Sequence, residues 1–245
     1  MSQPFDVKRD FLYGHFESEG LELPYRYFIP LDYDPGKTYP LLLFLHGAGE
    51  RGTDNERQLI HVMGQLFSDP KSPVFQSIVL VPQCPENSRW AEADWAKGSY
   101  AGDDPRIASL ALRASVALVR STMQDYSVDP ARVYVMGISM GGYGTWYLLT
   151  HEPDLFAGGI PICGGGNPDL ARRAAPLAIH AFHSSDDSAV PVEGSRTMVA
   201  AVKAAGGKRM RYTEYNYTGH GSWVVAAQTP GLLEWLFAQT HTMEK

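Results

Sequence analysis

Cysteine is scarce in this sequence, with two among 245 residues, which excludes a disulfide-stabilised scaffold. Positive charge is not in excess either: 21 Lys and Arg stand against 27 Asp and Glu, for a net charge of −6. A mildly acidic chain without a basic block is a poor partner for phosphate backbones. We therefore expect no binding to nucleic acid.

Long apolar runs are also absent. No segment reaches the roughly 20 apolar residues that cross a bilayer, so we expect no membrane partner. The first 16 residues lack the apolar segment of a secretory signal, since four charged residues fall between positions 6 and 10. We therefore expect a cytoplasmic protein. The hydrophobic fraction of 44% is ordinary for a globular chain with a large core.

What is present is an alternation of strand-like and helix-like segments, without repeats or low-complexity linkers. Tyr39–Leu45 (YPLLLFL) is apolar throughout, as in a strand buried on both faces. Two alternating runs before it, Phe11–Phe16 and Tyr25–Ile29, predict an opening antiparallel pair. Later strands are predicted at Ile78–Val81, Val133–Met136, Gly159–Ile162, Ala178–Phe182 and Met210–Tyr215.

Helical patterns occupy the intervals between these strands. They cover Glu56–Phe67, Pro105–Tyr126, Gly141–Thr150, Val192–Ala205 and Ser222–Thr240. The alternation predicts one α/β domain over residues 1–245, with a mostly parallel sheet of about eight strands and helices on both faces. Cys84 and Cys163 follow strands that two others separate, at about 4.8 Å each, so we expect both thiols to be free.

The strongest chemical motif is GISMG at positions 137–141, between a predicted strand and a predicted helix. A nucleophilic serine needs a tight strand-to-helix turn that lifts its hydroxyl clear of the backbone. Small residues two positions before and two after relieve the crowding in that turn. We predict Ser139 as the nucleophile; the alternative is a glycine-rich structural turn.

A serine hydroxyl needs a base, and the base needs a third group that orients it. With this kind of turn the chain order is serine, acid, histidine. Of the eight histidines, His220 follows the last predicted strand, within TGHGSW, where glycines allow a loop to carry it. His180 and His183 precede any candidate acid. We predict His220 as the base; the alternative is a solvent-facing loop histidine.

The acid is expected after the strand Ala178–Phe182, where Asp186 and Asp187 are adjacent. Only one can point at the base, because neighbouring side chains diverge in an extended loop. We favour Asp187, which would leave Asp186 as a hydrogen-bond acceptor within the loop. The residues alone leave both assignments open.

An oxyanion hole requires two backbone N–H groups aimed at the developing negative oxygen. One is expected from Met140, the residue after the nucleophile. The other is expected from Ala48, in the glycine-rich stretch HGAGERG that follows the buried strand. A phosphate-binding loop is the alternative, but the stretch lacks the Gly-Lys-Ser/Thr and Gly-x-Gly-x-x-Gly patterns. Glu50 and Arg51 are expected to pair with each other or with the loop near His46.

Taken together, these segments resemble the α/β-hydrolase superfamily. More narrowly they are similar to bacterial carboxylesterases described as phospholipase/carboxylesterase or depolymerase-like proteins. The segments are LFLHGAGERG (43–52), VPQCP (81–85), DPARVYVMGISMGGYGTW (129–146), FAGGIPICGGG (156–166), DDSAVPVEGSR (186–196) and TGHGSW (218–223). The resemblance implies Ser139 as nucleophile, Asp187 of a D-x-x-V-P pattern as acid and His220 as base. One departure is Ser184, where relatives commonly carry glycine.

The expected function is a serine carboxylesterase that works through an acyl-enzyme, without a metal or organic cofactor. No cluster of His, Cys and acid has metal-ligand spacing in the sequence. The expected substrate is a small-molecule ester or an ester linked to a polysaccharide. The alternatives are a feruloyl or acetyl-xylan esterase, for which the resemblance also leaves room, and a serine peptidase, since the same triad cleaves amides.

Several aromatic residues are candidates for binding the substrate. Trp90, Trp95 and Tyr100 lie in a polar stretch at the sheet end where the site is expected. They either line an acyl or aromatic-acid pocket or anchor a long loop. Trp223, close to His220, is a further candidate.

Overall fold

The computed structural model describes residues 4–99 and 105–241, which build an eight-stranded sheet. Its strands are β1 (Leu12–Ser18), β2 (Leu21–Phe28), β3 (Tyr39–Leu45), β4 (Ile78–Pro82), β5 (Val128–Ile138), β6 (Gly158–Ile162), β7 (Ala178–Ser184) and β8 (Met210–Tyr215). Their order is β1-β2-β4-β3-β5-β6-β7-β8. Strand β2 pairs antiparallel with both β1 and β4, and the other five neighbouring pairs are parallel. The predicted antiparallel opening and mostly parallel sheet are confirmed.

Three helices of twelve residues or more and five short ones connect the strands in the described part of the chain. They are α1 (Val7–Asp10), α2 (Met63–Leu66), α3 (Leu110–Asp125), α4 (Met140–His151), α5 (Ala171–Ala174), α6 (Glu193–Ala204), α7 (Trp223–Ala226) and α8 (Leu232–Phe237). Short 3-10 turns lie between them, among them Ala48–Glu50, Arg57–Leu59 and Gly219–Gly221.

The sheet carries a hydrophobic core on each face. Alternate side chains of a strand point to opposite faces, so in β3 Leu41 and Leu43 join one core while Leu42 and Phe44 join the other. Side chains of α3, α4 and α6 complete the first core, and those of α2, α7 and α8 complete the second. Helices thus cover both faces, as predicted.

Strand β5 is longer than the predicted Val133–Met136. It begins at Val128 because a shift in register absorbs the turn-like residues 129–132: Tyr39 of β3 faces Val128, whereas Leu41 faces Val133. A bulge of this kind inserts residues in one strand without ending the pairing.

Two predicted helices are broken. Glu56–Phe67 becomes the turn Arg57–Leu59 followed by α2, and the break falls at Val62, which has a φ of +71°. Ser222–Thr240 becomes α7 and α8, separated at Gly231 with a φ of +73°. Residues with positive φ cannot continue a right-handed helix. The long helix α3 also starts late, at Leu110, because the Ser109 side chain caps it.

Both cysteines are free, as expected, and both are buried. Within residues 4–99 and 105–241, no helix combines the length and the apolar character that crossing a bilayer requires.

Candidate active site

Ser139 occupies a strained turn between β5 and α4, with a φ of +52° and a ψ of −115°. The glycines around it leave room for this turn. A Cβ on Gly141 would lie 1.9 Å from the carbonyl oxygen of Leu45, and one on Gly137 would lie 2.3 Å from the carbonyl oxygen of Gly141. Since real Cβ atoms do not approach backbone so closely, glycine is required at both positions. The strain and the glycines together expose the serine hydroxyl at the carboxyl end of β5.

The predicted nucleophile, base and acid lie in one hydrogen-bonded row. Ser139 Oγ is 2.9 Å from His220 Nε2, and His220 Nδ1 is 2.8 Å from Asp187 Oδ2. An ionised carboxylate only accepts hydrogen bonds, so His220 donates from Nδ1 and its Nε2 is left to accept from the serine hydroxyl. The loops after β5, β7 and β8 bring these residues together from distant parts of the chain.

The carboxyl group of Asp187 is fully buried yet remains ionised. Burial by itself raises its pKa, but hydrogen bonds from His183, His220 and the amides of Val190 and Ala189 outweigh that and lower the pKa below the usual value. Both amides donate to Oδ1, at 2.9 and 2.8 Å, while the histidines face Oδ2. Asp187 therefore presents a permanent negative charge to His220.

Asp186 points away from His220 Nδ1 and binds the loop that carries it. Its Oδ1 accepts from the amide of Gly219 at 3.0 Å and from the hydroxyl of Ser184. Ser184 Oγ also accepts from the amide of Thr218, at 3.3 Å. Ser184 thus joins the loop that carries Asp186 and Asp187 to the base loop, which we define as residues 216–222.

His183 is a second histidine on the acid, and sequence reasoning gave it no role. It is fully buried, with Nε2 3.3 Å from Asp187 Oδ2 and 3.1 Å from the carbonyl oxygen of Val190. Its Nδ1 is 2.8 Å from Ser195 Oγ. The signal that could have found it is its place near the end of a buried parallel strand, where sites of this architecture lie.

The stretch after β3, residues 46–51, lies against the serine and is here called the oxyanion loop. A Cβ on Gly47 would lie 3.7 Å from Ser139 Cβ. The amides of Ala48 and Met140 begin a 3-10 turn and α4, and the first N–H groups of a helix have no partner inside it. The Ser139 amide is already used, since it donates to the carbonyl of Ile162 at 2.9 Å. Met140 thus follows the nucleophile and Ala48 follows Gly47, which lies beside it, and their role as the two oxyanion donors stays a prediction.

His46, another histidine without a role in the sequence reasoning, fixes this loop. Its Nε2 accepts from the amide of Cys84 at 2.9 Å, so Nδ1 carries the proton and donates to the carbonyl of Gly47 at 2.6 Å. Burial lowers the pKa of His46 to about 4, which keeps the ring neutral. The Trp90 indole donates to the carbonyl of His46 at 2.9 Å.

Arg51 also binds the loop and does not pair with Glu50. Its Nε donates to the carbonyl of Ala48 at 2.9 Å, and Nη1 donates to the carbonyl of Ser88 at 3.2 Å. Of the two expected pairings, the structure therefore shows the one with the loop.

The aromatic residues predicted to bind the substrate lie in different environments. A substrate contact for Trp90 is wrong: its side chain is 0% exposed, packed in the core, and anchors the loop before α3. Trp95 is half-buried against the same core, with the Arg89 guanidinium 5.0 Å from its ring. Tyr100 lies outside the described residues. Trp223 stands beside the base, with its ring perpendicular to that of His220 at 5.2 Å.

Of two surface cavities, one borders the site and the other does not. One of about 460 Å³ borders Asp187 and is lined by Ser188, Glu193 and Arg196 among others. Another cavity, of about 830 Å³, lies around Phe5, near the amino terminus of the chain, and none of the predicted site residues lines it. The larger cavity is therefore not part of this site.

One cluster was not anticipated from the sequence spacing. Cys163, Asp187 and His220 place potential ligand atoms within 4.8 Å of one another. Two of these atoms already form the Asp187–His220 hydrogen bond, and burial raises the pKa of the Cys163 thiol far above its usual value. A metal ligand must be a thiolate, so this neutral thiol fits a metal poorly.

Comparisons with known proteins identify the family and the fold. The model of a family described as "Putative esterase" matches residues 19–162, more than half of the chain. A thermostable esterase of known structure is 39% identical and superposes with a TM-score of 0.85. The match covers 96% of this chain and 64% of the thermostable esterase. Poly(3-hydroxyalkanoate) depolymerase C of Paucimonas lemoignei is 44% identical over 48 residues, or 20% of this chain and 12% of the depolymerase.

A ferulic acid esterase from Anaeromyces mucronatus, solved with ferulic acid, is 15% identical with a TM-score of 0.64 and covers 94% of this chain and 90% of its own. That likeness concerns the fold. The chain spans an eighth of the depolymerase and just under two thirds of the thermostable esterase. The matching family and the shared architecture lead to one conclusion: this chain belongs to that esterase family, within the α/β-hydrolase superfamily.

Proposed function

We propose that this chain is a serine carboxylesterase that cleaves carboxylic esters through an acyl-enzyme. One observation carries the proposal: Ser139 Oγ is 2.9 Å from His220 Nε2, and the other ring nitrogen is 2.8 Å from a buried, ionised Asp187. A hydroxyl, a base and an orienting acid in this order are what nucleophilic catalysis by serine requires.

In the first step, His220 Nε2 accepts the proton as Ser139 Oγ forms a bond to the carbonyl carbon of the ester. The carbonyl oxygen takes the negative charge, and the amides of Ala48 and Met140 donate hydrogen bonds to it. Each such donor is worth about 3 kcal/mol in related sites. The negative charge of Asp187 stabilises the imidazolium that forms.

The tetrahedral intermediate then collapses. The bond from carbon to the alcohol oxygen breaks, and His220 delivers its proton to the leaving alkoxide. A water molecule repeats the sequence: His220 takes its proton, the hydroxide attacks the acyl group, and Ser139 recovers the proton as the acid leaves. These steps need no metal or organic cofactor.

The substrate is a small-molecule ester or an ester linked to a polysaccharide. Feruloyl esters form the second candidate class, because a ferulic acid esterase matches this chain over nearly its whole length in fold. Amide cleavage is less favoured: the acylaminoacyl peptidase with the same fold is much longer, and this chain covers 43% of it. A panel of p-nitrophenyl acyl esters, methyl ferulate, acetylated xylan and a matched amide would separate these classes.

The test of the proposal is Ser139→Ala. Loss of the nucleophile should lower kcat on the order of a millionfold and abolish labelling by a fluorophosphonate, while the thermal midpoint stays near that of the wild type. Ser188→Ala, which removes an exposed hydroxyl beside Asp187, is the control and should keep full activity. A Ser139→Ala variant that keeps a tenth of the activity would reject the proposal.

A further inference from the structure

A buried carboxyl group lies under the oxyanion loop, and the steps above do not use it. Glu50 is 8% exposed, although it is in a loop at the rim of the sheet. Its Oε2 would be 2.9 Å from a Cβ on Gly47, and the same added Cβ would be 3.7 Å from Ser139 Cβ. The backbone amides of Gly47 and Glu50 itself face the carboxylate and favour its charged form, although burial raises its pKa overall.

A chain of side-chain contacts connects Glu50 to the predicted base, His220. His61 Nε2 lies 3.6 Å from Glu50 Oε1, and the His61 ring is 5.5 Å from that of Trp223. Trp223 in turn packs against His220 at 5.2 Å. Val62, the residue after His61, has a φ of +71°, which is strained for a β-branched side chain. The chain thus carries strain at the point where it turns His61 toward this carboxylate.

Other charged groups near Glu50 are engaged elsewhere. The Arg51 guanidinium donates to the carbonyls of Ala48 and Ser88. Asp54 Oδ1 accepts from the amides of Glu56 and Arg57. His61 is therefore the partner of Glu50 that can offset its charge.

We propose that Glu50 and His61 are positioning residues for the oxyanion hole: the buried Glu50 carboxylate lies against Gly47 and so fixes the backbone that leads to the Ala48 amide, and His61 offsets the negative charge of Glu50. This inference rests on the proposed function. Without this carboxylate, the Ala48 amide would lose its direction. Without His61, the bare carboxylate would repel the oxyanion that develops at Ser139.

The first test compares Glu50→Leu with Glu50→Gln. Leucine removes the acceptor, so kcat should fall 10- to 100-fold with KM changed less than threefold, because a misplaced donor affects the transition state above all. Glutamine keeps an acceptor oxygen and should restore kcat to within about threefold of the wild type. Affinity for a boronic acid, which forms a tetrahedral adduct on serine, should fall in Glu50→Leu by the same factor as kcat/KM.

Glu56→Leu is the matched control for a merely structural loss. Glu56 contacts Tyr13 and the buried Arg26 and lies outside the oxyanion loop. It should lower the thermal midpoint without changing kcat at a temperature where both variants are folded.

The second test is a double-mutant cycle with His61→Leu. In the wild-type background this change should lower kcat two- to tenfold, and in the Glu50→Gln background, where no charge is left to offset, it should have no effect. Equal losses in both backgrounds would overturn the role of His61. Equal kcat in Glu50→Leu and the wild type would overturn the role of Glu50. Neither result affects the proposed function, which fails only if Ser139→Ala stays active.

Discussion

The two loops that meet at Ser139 are built in opposite ways. In the oxyanion loop His46, Gly47 and Glu50 are buried, and the side chains of His46 and Arg51 bind its carbonyls directly. In the base loop every residue from 216 to 221 is exposed or half-buried. Its contacts with Ser184 and Asp186 run through the amides of Thr218 and Gly219.

The difference fits the roles that we propose for the two loops. Donors to an oxyanion lower the barrier most when they are fixed before the reaction begins. A base instead exchanges a proton with the serine, the leaving group and water in turn, so small adjustments of its ring are useful. A buried loop for the proposed donors and a more exposed loop for the proposed base fit these demands.

The largest effect is expected where the base loop meets the acid. Asp187→Asn should lower kcat about 10,000-fold, because an amide no longer selects the histidine tautomer that accepts from serine. Asp186→Asn should cost less than tenfold, because its amide oxygen still accepts from the Gly219 N–H. Steady-state kinetics of both variants on one p-nitrophenyl ester checks this. Similar losses in the two variants would mean that the loop contact matters as much as the triad.

A middle-sized effect is expected in the oxyanion loop as the pH changes. The pKa of His46 is about 4 in the fold, below the usual 6.5, so between these values the unfolded chain binds a proton that the folded chain refuses. Its contribution to the free energy of unfolding should therefore rise by about 3 kcal/mol as the pH rises from 4 to 6.5.

Urea unfolding of the wild type and of His46→Asn at several pH values gives the free energy of unfolding of each as a function of pH. The difference between the two slopes measures the contribution of His46. Parallel slopes for the wild type and His46→Asn would show that the loop tolerates a charged ring.

The smallest effect distinguishes one glycine in each loop. A Cβ added to Gly49 or to Gly219 would have no atom within 4 Å, but only Gly219 has a positive φ, of +55°. Gly219→Ala should therefore cost about 1 kcal/mol of stability, whereas Gly49→Ala should be neutral or slightly stabilising. Thermal unfolding of the two variants gives the comparison. The same sign for both would contradict the backbone conformations described here.

The sheet could be predicted well because buried strands are continuous apolar runs. The predicted bounds of β3 and β8 match the structure. Strand β5 was predicted too short at both ends: Asp129 and Pro130 look like a turn, and Gly137 and Ile138 were assigned to the GISMG motif. The helices on the second face were predicted as continuous because periodicity does not report the positive φ at Val62 or Gly231. Those breaks depend on tertiary packing.

The residues proposed for the chemistry could be chosen from the sequence because their motifs are local and their order along the chain is constrained. The supporting residues could not. No role was assigned from the sequence to His46 and His183, whose contacts are made with partners 38 and 4 residues away. Glu50 could pair with Arg51 on sequence grounds, and only the fold shows that Arg51 is occupied by backbone carbonyls.

The burial of both native thiols has a practical consequence. Cys84 and Cys163 are 0% exposed, so a maleimide dye would find no accessible native target on the folded chain. Tyr217, in the base loop, is 69% exposed. A Tyr217→Cys variant would accept one fluorophore without prior removal of the native cysteines, and its emission would follow motion beside the base during turnover.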